Sequence, residues 1–208
     1  MKKLTFIVAG LLFVNSILGQ SAQGEDAAAA VKPAAMPDSA TMMKNMMDYG
    51  TPGDVHKMMA AWDGKWKGTM SSWFAPDMPP VQSTIVTVNK MVMNGLHQEN
   101  THTGNIMGQA FTGRGTTSYD NDKKRFTTTW LDNYSSGVMI MEGYWDAATK
   151  TMNLKGKSID PATRTTVEMR EVYKVIDDNN HLLEMFTTPE GGKEYKSMEI
   201  KFVRVKGN

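Results

Sequence analysis

The chain has 208 residues and no cysteine, with 23 Lys and Arg against 22 Asp and Glu for a formal net charge of +1. That length holds one domain of ordinary size behind a short leader. Lack of cysteine excludes disulfides, thiolate metal sites and a lipid-bearing cysteine, and the charge balance leaves no basic footprint for nucleic acid or anionic lipid.

Residues 1–24, "MKKLTFIVAGLLFVNSILGQSAQG", open on Lys2 and Lys3, run apolar from Leu4 to Val14 and end in small and polar residues. This is the build of a secretory signal peptide, too short between its polar flanks for a permanent membrane anchor. Cleavage is expected after Gly24, with Ser21 as the alternative. Removing the segment takes the formal charge from +1 to −1. The expected destination is the periplasm or exterior of a bacterium.

Residues 25–53 are rich in Ala, Pro and Met and carry no strand pattern, which reads as a linker able to hold a short helix through Met47. The main domain is expected over 54–208. It begins with a helix in which Asp54 is the expected N-cap and Val55, Met58, Met59 and Trp62 recur at helical spacing. Gly64 ends it.

From Lys65 the texture changes to short runs rich in Thr, Val, Tyr, Phe and Trp, separated by turn clusters such as "APDMPP", "YDNDKK", "DPATR" and "TPEGGK". About ten strands are expected, near 65–74, 81–90, 94–103, 109–119, 124–132, 137–145, 151–158, 165–176, 181–187 and 194–205. There is no room between them for crossover helices, so the pairing must be antiparallel. The predicted fold class is mainly β: an antiparallel up-and-down barrel, because closure hides the edges of such a meander. A split sandwich is the alternative.

The segments "WDGKWKGTMSSWFAPDMPP", "GQAFTGRGTTSYDNDKKRFTTTWLDNYSSGVMIMEGYWDAATKTM" and "REVYKVIDDNNHLLEMFTTPEGGKEYKSMEIKFVR" resemble, in the same order, the bacterial domain-of-unknown-function family 1579. The resemblance runs from about Gly53 to Arg204. It implies a secreted, lipocalin-like (calycin) barrel and supplies no catalytic residues. The short "GKWKG" at Gly64–Gly68 also resembles the opening of calycin barrels and of haem-binding nitrobindin-like barrels. Independently of any family, Gly64 permits a sharp turn into the first strand, where Trp66 can plug one end of a barrel.

Nothing specifies a catalytic set. There is no nucleophile elbow, and "GKS" at Gly156 lacks the glycine and helix of a phosphate loop. His97 and His102 fall on opposite faces of a regular strand, and zinc spacings are absent. His181 is the one candidate haem ligand that the nitrobindin-like comparison suggests, although its place beside a turn suits simple hairpin chemistry. Along "TTVEMREVYKVI", Val167, Met169, Tyr173 and Val175 share an apolar face that Glu171 interrupts, making Glu171 the best candidate for an inward polar group. With it, Trp130, Tyr144 and Tyr173 are the expected pocket lining for a small apolar partner.

Nineteen methionines raise a different expectation. Thioethers select Cu(I), and Met42, Met43, Met46 and Met47, with His56 and Met59, compose a conceivable copper site. Methionine as an adaptable core filler explains the cluster and the eleven strand methionines together. The leading reading is therefore a non-enzymatic, extracytoplasmic binding barrel that needs no cofactor. The alternatives are a methionine-rich copper-binding or envelope-stress protein and an enzyme using strand carboxylates inside the barrel. Oligomeric state is left open by the sequence.

Overall fold

A computed structural model of the protein describes residues 35–206. The expected signal peptide and residues 25–34 lie outside them. Two short helices come first, α1 (Ser39–Tyr49) and α2 (Asp54–Ala60). Asp38 caps α1, its carboxylate accepting the Thr41 backbone N–H at 2.9 Å. The cap of α2 is Gly53 rather than the expected Asp54, which is the first helical residue. His56, at the third helical position, supports the turn: its Nδ1 accepts the Gly53 backbone N–H at 3.0 Å, the half of a capping box that needs no side chain on the cap residue.

Ten strands follow: β1 (Gly64–Ser72), β2 (Val81–Val92), β3 (His97–Ile106), β4 (Gln109–Asp120), β5 (Arg125–Asp132), β6 (Met139–Asp146), β7 (Thr151–Ile159), β8 (Thr166–Asp177), β9 (Asn180–Thr188) and β10 (Tyr195–Arg204). Each pairs antiparallel with its sequence neighbours, and β1 pairs with β10, with Trp66 opposite Arg204 and Ser72 opposite Met198. The barrel is closed, which removes the split sandwich. No edge strand is left among the ten.

Strand alternation sorts the residues without exception along the chain's clearest runs. Val167, Met169, Glu171 and Tyr173 point inward, as do Met198, Ile200 and Phe202. Turns alternate between the two ends. One end is plugged: α2 and the residues after it sit across it, with Met59 at 0%, Trp62 at 4% and Trp66 at 1% exposure. The Trp66 indole N–H donates to the Trp62 carbonyl at 3.0 Å. Gln98, at the foot of β3, donates to the Met59 carbonyl and to Asp63, both at 2.8 Å. Arg204 closes the seam from β10, lying 4.1 Å over the Trp66 ring and donating to the carbonyls of Ala61, Asp63 and Asp178. Gly64 has φ +119°, and a Cβ there would stand 3.1 Å from this guanidinium, so glycine alone suits the position.

Candidate functional site

Ten strands enclose more space than their side chains fill. A cavity of about 770 Å³ opens above the plug and reaches the far end of the barrel, where Phe74, Met107 and Tyr134 from the loops line it. Its two sides differ. Strands β2 to β4 contribute the polar Thr87, Asn89, Gln98, Asn100, His102 and Thr117 beside a few apolar residues, whereas β9 and β10 contribute Leu183, Met185, Met198, Ile200 and Phe202. Glu171 and Tyr173 enter from β8.

Most of the polar groups are already engaged. Thr87 and His102 bond at 3.0 Å, and Asn89 donates to the Trp62 carbonyl at 3.1 Å. Burial holds His102 down at about 4, so it is neutral. The Tyr173 hydroxyl and His181 Nδ1 are 2.6 Å apart, with the donor set by the tautomer. His181 lies 4.3 Å from Trp66, ring to ring. Burial, aided by the Arg204 charge, pushes His181 down to about 4. Burial, then the neighbouring Glu171 carboxylate, raises the Tyr173 phenol, which stays protonated.

Several lining groups are left over, hydroxyls such as Thr117 and Ser158 among them, and the most polar are Glu171 and Asn100. Among the described residues neither Glu171 nor Asn100 has a side-chain hydrogen-bond partner, and both border the cavity. Glu171 has Leu154 and Met185 as its cross-strand neighbours, which give its carboxyl nothing to bond. Burial raises it to about 7. A carboxyl on an apolar wall with no protein partner costs free energy unless something else meets it.

Trp130 borders the same space. Its N–H donates to Asp132 at 2.9 Å, and its ring meets His102 edge-on at 4.9 Å. Gly113 makes room for it, since a Cβ there would come within 2.3 Å of the indole. Asp132 is held in turn by the backbone N–H groups of Tyr134 at 2.8 Å and Ser135 at 3.0 Å.

Tyr144 is a correction. It lies between Gly143 and Trp145 on β6, in the outward phase of the strand, and is 59% exposed. Trp145, one residue on, holds the inward phase and packs on Trp62 at 5.9 Å. The expectation gave Tyr144 to the interior because aromatic character alone does not report phase.

The six residues considered for copper are divided between α1 and α2 and differ in exposure. Met43, Met46 and Met47 are 60–71% exposed on α1. Met42 is half-buried on the same helix, while His56 and Met59 form the buried face of α2 at 2% and 0% exposure. Among the described residues no cluster of three or more His, Asp or Glu side chains is disposed to hold a metal ion. His97 and His102 part as strand phase requires, His97 bonding Ser118 at 2.8 Å on the outside. Asn100 and Thr87 escaped the sequence reading, and His102 was weighed there only as a partner for His97; the run "HQENTH", polar in both phases, was the available signal that β3 faces a polar interior.

Fold and cavity together define a closed, lipocalin-like antiparallel barrel with an accessible interior. The chain belongs to the family described as "Protein of unknown function (DUF1579)", whose model matches residues 51–204. Two solved structures share the fold. The crystal structure of Rv2717c from M. tuberculosis aligns with a TM-score of 0.55 at 12% identity, covering 75% of this chain and 100% of that one. The S-type phycobiliprotein lyase CPES from Guillardia theta aligns with a TM-score of 0.52 at 12% identity, covering 83% of this chain and 100% of its own. No curated protein matches the sequence. Among the described residues, no helix is long and apolar enough to cross a membrane.

Proposed function

We propose that this protein is an exported bacterial binding barrel that takes a small amphipathic molecule into its interior. The observation that carries the reading is the cavity of about 770 Å³, apolar on one side, in which Glu171 and Asn100 have no protein partner. Cavities of this size and character suit small organic ligands, and an unmet polar group on an otherwise apolar wall is what orients one. The lead sequence "MKKLTFIVAGLLFV" supports export. A lyase with the same fold is a precedent for a barrel that serves a partner molecule and not a structural role alone.

Native mass spectrometry of protein recovered from a bacterial periplasm tests this. The expected result is an organic mass that leaves on denaturation, and binding of the apolar fluorophore N-phenyl-1-naphthylamine to the emptied protein. Replacing Trp130 or Tyr173 by Leu should weaken fluorophore binding more than it lowers the melting temperature. A folded protein that neither carries a mass nor binds the fluorophore overturns the reading.

A second reading rests on Glu171 alone. A carboxyl that titrates at about 7 is suited to proton transfer at neutral pH, so the same cavity supports an acid–base reaction on the bound molecule. Conversion of the bound mass on incubation, abolished in Glu171→Gln, distinguishes it from simple binding.

A further inference from the structure

The charges of the cavity identify the head group it accepts. This inference rests on the binding reading above. Among the described residues the lining contains no lysine and no arginine, and its two formally charged side chains, Asp132 and Glu171, are both carboxylic. They are placed differently. Asp132 is answered by three N–H donors, from Trp130, Tyr134 and Ser135, and lies where β5 runs into the loop at the open end. Glu171 lies mid-strand on β8 with apolar cross-strand neighbours and no donor. The cationic side chains of the same strands point away from the cavity: Arg170 is engaged outside by Glu194 at 2.7 Å, and Lys196 by Glu199 at 2.9 Å. Arg204 is behind Trp66, tied to three backbone carbonyls.

Above the value of about 7 to which burial raises Glu171, a ligand with a carboxylate or phosphate head would meet two like charges and no cation, in an interior where water screens poorly. A ligand with an ammonium or another N–H-rich head would meet the opposite. Its donors answer the Glu171 carboxylate, and its apolar body lies along Leu183, Met185, Met198 and Ile200. Neutral His102 and His181 add no repelling charge. We propose that the barrel selects apolar molecules bearing a cationic or strongly hydrogen-bond-donating amine, with Glu171 as the residue that receives the head group, and discriminates against fatty acids and other anionic amphiphiles.

The test compares decylamine, decanol and decanoate as competitors of N-phenyl-1-naphthylamine on the mature protein. It is run at about pH 8.5, above the value of about 7 to which burial raises Glu171, where this carboxyl is ionised and a primary amine still charged. Decylamine should displace the fluorophore at a concentration at least about tenfold below that of decanoate, with decanol between them. Glu171→Gln should collapse the amine-to-carboxylate ratio by about tenfold. Asp132→Asn, a second route that leaves Glu171 in place, should lower it less. Tyr144→Ala, on the outer surface, should leave it unchanged. Equal displacement by all three, or an amine preference that survives Glu171→Gln, overturns the inference while leaving the binding barrel intact. A fluorophore that does not bind to the folded wild-type protein removes the binding reading, and this inference with it.

Discussion

Glu171 and the two interior histidines pull the pH dependence of stability in opposite directions. The Glu171 carboxyl is raised from 4.5 to about 7, so between these values the folded chain holds a proton that the unfolded chain has released. Its contribution to stability is favourable below 4.5, declines as pH rises through that window, and is at its worst above 7. His102 and His181 are lowered from 6.5 to about 4, so their contribution is complete above 6.5 and is lost as pH falls towards 4. Each imidazole accounts for at most about 3 kcal/mol. Two imidazoles against one carboxyl predict net destabilisation by acid, measurable as a falling urea midpoint. Glu171→Gln should be more stable than the wild type at about pH 8 and lose that advantage towards about pH 5. An advantage of the same size at both would mean that Glu171 titrates normally. Gly113 is as demanding sterically: Gly113→Val must displace the Trp130 indole, and should lower both fluorophore binding and the melting temperature.

At the scale of elements, α2 and its continuation serve as the stopper of the barrel, and Arg204 fastens it. The guanidinium serves carbonyls on both sides of the seam, Ala61 and Asp63 before β1 and Asp178 between β8 and β9, while covering Trp66. Arg204→Met should cost roughly 2–4 kcal/mol in chemical denaturation, since three acceptors and a cation–π contact lose their partner together. Arg204→Lys should recover little of this, because an ammonium lacks the planar fork. Helix α1 is a contrast. It has no buried residue and is tied to the barrel side mainly through Asn121, which donates to the Tyr49 and Thr51 carbonyls at 2.9 and 3.0 Å. Removing residues 35–46 should therefore change stability by less than about 1 kcal/mol.

At the scale of the whole molecule, closure depends on the first and last strands meeting. Trp66 pairs with Arg204 and Met70 with Ile200, contacts far apart along the chain. Such pairing cannot form until most of the meander is in place, which predicts slow, cooperative folding. A chain ending before Tyr195 loses β10, with Ile200 and Phe202 of the core around Trp66, and the Arg204 fastening together. It should aggregate or remain unfolded, as judged by circular dichroism and gel filtration.

The strands and the closed barrel were legible in the sequence because each depends on local signals. Alternation in "KSMEIKFVR" reports phase, turn clusters mark strand ends, and the absence of room for crossovers requires antiparallel neighbours. Glu171 was legible for the same reason: it interrupts a run whose inward phase is otherwise apolar. Tyr144 was misplaced because it was chosen for its aromatic ring and not by phase: in the β6 run "MIMEGYWD" it shares its phase with Glu142 and Asp146, while Met139, Met141, Gly143 and Trp145 form the inward set. Tertiary structure alone decided the rest. That Asn100 and Glu171 border one cavity, that Arg170 and Lys196 are engaged outside it while Arg204 is spent on carbonyls, and that Tyr173 bonds His181 are facts about which strands become neighbours across the barrel. Those distances arise when the sheet closes, and no local pattern encodes them.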